Sequence, residues 1–214
     1  MTVLQRMLDT GVVAVMRKTT PETIIPIAQA LRDGGITSLE ITVETPKALT
    51  LIEKVKDELG DEVMVGAGTV LDAETARAAL MSGASFIFSP TVKEETIEMT
   101  KRYGAVSVAG AFTPTEILTA YEKGADMIKI FPASVVGPRF FKDIKGPLPH
   151  IPLMPTGGID VDNTRAYIEA GAVAVGAGST LVKQADQITK NYLDDLTNRA
   201  KAFIEAVEKG RNLR

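Results

Sequence analysis

Short apolar runs rich in Val, Ile and Phe alternate along the chain with longer segments whose apolar residues recur every three or four positions. The first pattern is that of strands covered on both faces, and the second is that of amphipathic helices, so the alternation predicts a parallel sheet built from βα units. Eight runs can be counted, at 12–17, 38–43, 63–70, 86–90, 105–111, 127–134, 151–158 and 172–179, each followed by a helix-like segment. A short helix is expected ahead of the first run, in MTVLQRMLDTG. Asp72, Asp160 and the pairs Thr20-Pro21, Thr45-Pro46 and Thr113-Pro114 look like helix starts, where a side-chain oxygen or an early proline suits the free backbone ends. The phrases DGG (33–35), SGA (82–84), YGA (103–105), KGA (123–125) and AGA (170–172) place a glycine where a helix must stop before the next strand. The last helix is expected over 185–209, with Ile188, Tyr192, Leu196, Ala200, Phe203 and Val207 near one face.

Eight such units either close into a (β/α)8 barrel or form an open doubly wound sheet. The first strand is not followed by GxGxxG, and the glycine-rich turns come late, after the seventh and eighth runs, which favours the barrel. A single barrel domain over 1–214 is therefore expected.

Composition agrees with one soluble core. With 214 residues, 45% hydrophobic and 24% charged, one domain buries about 70% of its unfolded surface. No apolar stretch reaches the roughly 18 residues of a membrane span, and the amino terminus lacks the apolar core of a secretory signal. A cytoplasmic location is expected. A net charge of −3 with interleaved lysines and acids provides no basic stripe for nucleic acid. One histidine, His150 in a proline-bracketed loop, and no cysteine leave neither a zinc site nor a nucleophilic triad.

Two charges interrupt the strands. Lys129 is the middle residue of Met127-Ile128-Lys129-Ile130-Phe131, a setting in which the charged ammonium is disfavoured, and a neutral amine is a nucleophile. Glu40 and Thr42 share the parity opposite to Leu39, Ile41 and Val43, so both face one way. A lone lysine and a lone glutamate on inward strand positions are the pair that amine chemistry with general acid–base transfer requires. A structural ion pair is the alternative.

Pro155-Thr156-Gly157-Gly158-Ile159-Asp160 ends the seventh run and Gly176-Ala177-Gly178-Ser179 the eighth. Both can present bare N–H groups to an anion, and in barrels this corner commonly holds a phosphate. Gly66-Ala67-Gly68-Thr69 either offers a further hydroxyl at the same rim or lets the strands pack closely, and Arg17, at the end of the first run, either clamps a carboxylate or stands solvated beside Lys18.

The phrases LEIT with Glu40, GAGTV, FIFSP, IKIFP with Lys129, MPTGGI and VGAGS resemble, in order and spacing, those of the KDPG and KHG aldolases, which act on 2-keto-3-deoxy-6-phosphogluconate and 4-hydroxy-2-oxoglutarate. The resemblance implies a lysine Schiff base at Lys129 and acid–base work at Glu40. It implies a pyruvate pocket shaped by Thr69, Pro90, Phe131 and Thr156, and a phosphate site at Gly157, Gly158, Gly178 and Ser179. It also implies a homotrimer that needs no metal or other cofactor, with a phosphorylated 2-keto acid as substrate. Many family members carry a carboxylate-binding arginine four residues after the glutamate, where this chain has Glu44; Arg17 is expected to replace it. Two other readings fit such a face: a sugar-phosphate epimerase or isomerase, and a non-catalytic ligand-binding barrel.

Overall fold

The computed structural model describes residues 1–212. Eight strands, β1 (Val12–Met16), β2 (Ser38–Thr42), β3 (Met64–Gly68), β4 (Phe86–Phe88), β5 (Val106–Ala111), β6 (Met127–Ile130), β7 (Leu153–Pro155) and β8 (Val175–Ala177), form one parallel sheet in the order β7-β6-β5-β4-β3-β2-β1-β8. A parallel bridge from Thr156 to Gly176 joins its two ends, closing the (β/α)8 barrel. Each predicted run contains a strand, shortened by one to five residues where the chain turns towards its loops.

The helices are α1 (Val3–Thr10), α2 (Ile24–Asp33), α3 (Ala48–Leu59), α4 (Ala73–Met81), α5 (Glu94–Arg102), α6 (Pro114–Glu122), α7 (Ala133–Lys145), α8 (Val161–Glu169) and α9 (Lys190–Arg211). Asp72 caps α4 by accepting from the Thr75 N–H at 2.6 Å. Thr113 and Asp160 form reciprocal capping boxes with Glu116 and Asn163. Gly35, Gly83, Gly104, Gly124 and Gly171 lie at φ between 74° and 109° (Gly104 and Gly171), a region that costs an L side chain dearly and glycine nothing. No helix among the described residues is long and apolar enough to cross a membrane.

Three helix starts differ from expectation. α2 begins at Ile24, because the Thr23 hydroxyl accepts from the Thr20 N–H at 2.9 Å and holds Thr20 to Thr23 in a turn. α3 begins at Ala48, after Lys47 turns the chain at φ 62°. α9 begins at Lys190 rather than 185, because Thr189 caps it by accepting from the Tyr192 N–H at 3.2 Å; residues 183–189 are irregular.

Strand parity divides the apolar residues into two sets. Ala14, Leu39, Ile41, Ile128 and Leu153 face the helices and belong to the larger cluster, while Val13, Met64, Phe86, Phe88, Val108, Met127 and Met154 fill the barrel interior. α1 closes the floor, with Met7 fully buried in the inner cluster. Arg211, in the last turn of α9, donates to the Asp9 carbonyl at 2.7 Å and also to that of Leu8, tying the two ends of the chain together under the barrel.

Candidate active site

The same parity turns Glu40 and Lys129 inward, above the layer of Phe86, Phe88 and Met154. Glu40 pairs in register with Val15 of β1 and Gly66 of β3, and Lys129 with Gly110 of β5 and Met154 of β7. Their side chains are 0% and 4% exposed, and Lys129 Nζ lies 3.9 Å from Glu40 Oε1. That separation is too long for a hydrogen bond. Neither carboxylate oxygen of Glu40 has any hydrogen-bond partner among the described residues. Burial pushes the Glu40 carboxyl above the ordinary carboxylate value; the positive charges of Lys129 and Arg17 oppose the shift, and the negative charge of Glu44 adds to it. The Lys129 ammonium stands 5.6 Å from the Phe88 ring centroid and 5.4 Å from that of Phe131. The aromatic flanks hold the amine in an apolar slot, with a proton-carrying group beside it.

Small residues make this slot. A β-carbon at Gly68 would meet Glu40 Oε1 at 1.8 Å, and one at Gly176 would meet Thr156 Oγ1 at 2.4 Å. The Thr156 hydroxyl is buried and has no partner among the described residues, so it is free to bond a molecule in the slot. Thr69, half-buried at the end of β3, sits at φ 59°, an outlier for a β-branched residue and of the kind that collects at functional sites. Pro90, on the segment after β4, packs so closely over Gly110 that a β-carbon there would lie 2.2 Å from the Pro90 carbonyl carbon.

A cavity of about 210 Å³ opens at the carboxyl ends of β1, β7 and β8. It brings together Arg17, Phe131, Thr156, Gly157, Gly158, Gly178 and Ser179. Thr69 and Pro90 do not line it; they lie across the mouth, at the ends of β3 and β4. Lys129 adjoins it through Phe131, and Glu40 stands behind at Lys129 Nζ. Gly157 and Gly158 have φ of 92° and 75°, and Gly158 packs against Ser134, whose Cβ would lie 2.6 Å from an added β-carbon. After Gly178 the chain makes one helical turn, its carbonyl accepting from the N–H groups of Leu181 and Val182 at 3.0 and 2.9 Å. Among the described residues, the N–H groups of Gly158, Ser179 and Thr180 find no acceptor, while the bridge between Thr156 and Gly176 turns the Gly157 N–H towards the Gly176 carbonyl. Three free donors around one cavity, with Arg17 at its edge, make a receptor for a doubly anionic molecule.

Thr180, Ile159 and Val15 also line the cavity, and sequence reasoning passed over them. Thr180 donates to the Ile159 carbonyl at 2.5 Å and so locks the two glycine turns together. Arg17 is exposed, one residue beyond β1, and Glu44 is exposed on the turn after β2. His150 is exposed and stands edge-on to Tyr121 at 5.3 Å, away from the site.

The family model "KDPG and KHG aldolase" matches residues 3–199. The chain belongs to that aldolase family. It is 34% identical over 197 residues to the 2-dehydro-3-deoxy-6-phosphogalactonate aldolase of Escherichia coli strain K12, covering 92% of this chain and 96% of that one. It is 37% identical over 163 residues to the 2-dehydro-3-deoxy-phosphogluconate aldolase of Pseudomonas aeruginosa, covering 76% and 74%. Among solved structures, the KDPG aldolase of Legionella pneumophila, with pyruvate captured as a covalent carbinolamine intermediate, superposes with a TM-score of 0.84 at 28% identity, over 92% of this chain and 95% of that one. The aldolase fold and the enzyme class, carbon–carbon lyase, follow from membership, and the isomerase and non-catalytic readings fall away.

Proposed function

We propose that this aldolase cleaves 2-keto-3-deoxy-6-phosphogluconate to pyruvate and glyceraldehyde 3-phosphate through a Schiff base on Lys129. The observation that carries the proposal is the buried Lys129 amine 3.9 Å from a carboxyl that has no other partner among the described residues. Its aromatic slot adjoins a cavity of free N–H donors. The Legionella relative's covalent carbinolamine with pyruvate supports the same chemistry.

The Lys129 amine adds to the C2 carbonyl carbon of the substrate, and water leaves with a proton from Glu40, giving an iminium. Glu40 then takes the proton of the C4 hydroxyl. The C3–C4 bond breaks, its electron pair enters the iminium to form an enamine, and glyceraldehyde 3-phosphate departs. Protonation of the enamine at C3 and hydrolysis of the resulting iminium release pyruvate and restore Lys129. Arg17 pairs with the C1 carboxylate and keeps the ketone turned to the amine, while Thr69, Pro90, Phe131 and Thr156 bound the pyruvyl group. Gly157, Gly158, Gly178 and Ser179 receive the phosphate.

Incubation with pyruvate and borohydride tests the reading: a reduced adduct on the peptide holding Lys129 is expected, and its absence would overturn the Schiff-base step. The 34% identity to a phosphogalactonate aldolase favours the C4 epimer as a second substrate, compared through specificity constants. 4-Hydroxy-2-oxoglutarate, which lacks the phosphate, completes the set.

The proposal includes a homotrimer. Leu71, Phe112 and Val135 are 53%, 38% and 69% exposed and follow β3, β5 and β6 at one end of the barrel, where a neighbouring copy would cover them. Sedimentation equilibrium reads the mass directly.

A further inference from the structure

A second, larger cavity of about 410 Å³ lies beside the first, between the segment after β1 and the irregular stretch before α9. Its size is that of a small-molecule site. Three cations reach it, Arg17, Lys18 and Lys183, and none makes an ion pair within 4 Å among the described residues; Asp186 is the one acid in its lining. Thr19, Thr20 and Tyr192 add hydroxyls, while Ile27, Val182 and Ile188 make an apolar floor. The Thr19 hydroxyl is buried, with no hydrogen-bond partner among the described residues, although the residue lines the groove. Lys18 is at φ 57°, an uncommon conformation that turns the chain at this spot. Arg17 lines both cavities.

Unpaired cations suit a phosphate, and hydroxyls, an amide at Gln184 and a lone carboxylate suit sugar hydroxyls. We propose that this groove is a second binding site, for a phosphorylated sugar or sugar acid, and that its ligand competes with the catalytic cavity for the Arg17 guanidinium. The competition rests on the reading of Arg17 as the carboxylate clamp; the groove itself does not. A ligand that holds Arg17 outward weakens keto-acid binding by a finite factor, and the keto acid weakens the ligand by the same factor.

Glucose 6-phosphate, which has no 2-keto acid group, is the probe. Calorimetry is expected to show it binding to the wild-type protein and to the Lys18→Arg, Lys183→Arg double variant. Binding is expected to be lost in Lys18→Glu, Lys183→Glu, with folding checked by circular dichroism. In the cleavage assay the apparent KM for the keto acid is expected to rise about fivefold or more and then level off, because two coupled sites saturate. No binding, binding that survives the Glu pair, or a KM that climbs linearly without a plateau overturns the proposal, the last placing the probe in the catalytic cavity. Loss of cleavage activity towards every keto acid with groove binding intact instead defeats the proposed function and leaves the groove standing.

Discussion

Gly68 leaves empty the space that the Glu40 carboxyl fills: a β-carbon at position 68 would lie 1.8 Å from Glu40 Oε1 and 2.4 Å from its carboxyl carbon. The glutamate comes from β2 and the glycine from the neighbouring β3, so the pairing of two strands fixes where the Glu40 carboxyl stands. Gly68→Ala is expected to push the carboxyl off its line to Lys129 at an overpacking cost of about 1–3 kcal/mol. Positioned acid–base catalysis is worth about 10²–10⁴-fold, so turnover should fall by about 100-fold or more. Lys129 itself is untouched, so borohydride trapping with pyruvate should persist at a lower rate, because Glu40 also supplies the proton that lets water leave. A variant that keeps wild-type turnover removes Glu40 from the proton transfers.

Burial of Glu40 also ties stability to pH. Its folded carboxyl titrates above the ordinary value of 4.5, so the folded protein holds this proton more tightly than the unfolded chain does. The sign follows from linkage: the stabilisation is fully present below the unfolded value and is lost as pH rises through the higher folded one. Glu40→Gln carries no titrating group there. Urea midpoints measured at pH 4, 5.5 and 7 should therefore shift in favour of the variant, relative to wild type, as pH rises. A difference that stays flat over this range contradicts the raised carboxyl.

Much of this was legible in the sequence because a charge inside an apolar strand is expensive and visible. Glu40 and Lys129 stood out in that way, and parity alone turned Glu40 and Thr42 to one face. The glycine phrases marked the strand entries because a positive φ leaves few other residues. Helix starts were harder: Thr189 follows a stretch whose apolar residues continue the spacing of α9, so the cap is seen only once the Tyr192 N–H is known to point at it. Thr180 and Val15 reach the cavity through the path of the backbone, which residue types do not encode. The groove beside Arg17 joins Lys18 to Lys183 across most of the chain, and spacing along the chain gives no sign of it.

Glu44 is expected to act on the reaction through Glu40. It is exposed, and its charge raises the Glu40 carboxyl while that of Arg17 lowers it. Glu40 must be protonated to release water and ionised to accept the C4 hydroxyl proton, so where cleavage of the C3–C4 bond limits turnover kcat rises with pH as Glu40 loses its own proton. Glu44→Gln removes a raising influence, so the midpoint of that rising limb should move to lower pH. The effect is modest because the charge is screened by solvent. A pH profile of kcat at low ionic strength reads it, and a midpoint that stays put or moves upward separates Glu44 from the proton transfer.

The glycine turns are expected to divide substrates by their phosphate. Gly158 sits at φ 75° with Ser134 Cβ only 2.6 Å from where its own β-carbon would be, so Gly158→Ala strains the turn and swings its N–H away from the cavity. A hydrogen bond to a charged group contributes about 1.5–3 kcal/mol, and each 1.4 kcal/mol is tenfold. The specificity constant for 2-keto-3-deoxy-6-phosphogluconate should fall by about 10- to 100-fold. That for 4-hydroxy-2-oxoglutarate, which carries no phosphate, should stay within about twofold, since Lys129 and Glu40 lie on other strands. Equal losses on both substrates would mean that the turn supports the catalytic slot as a whole, and the phosphate would have to be placed elsewhere.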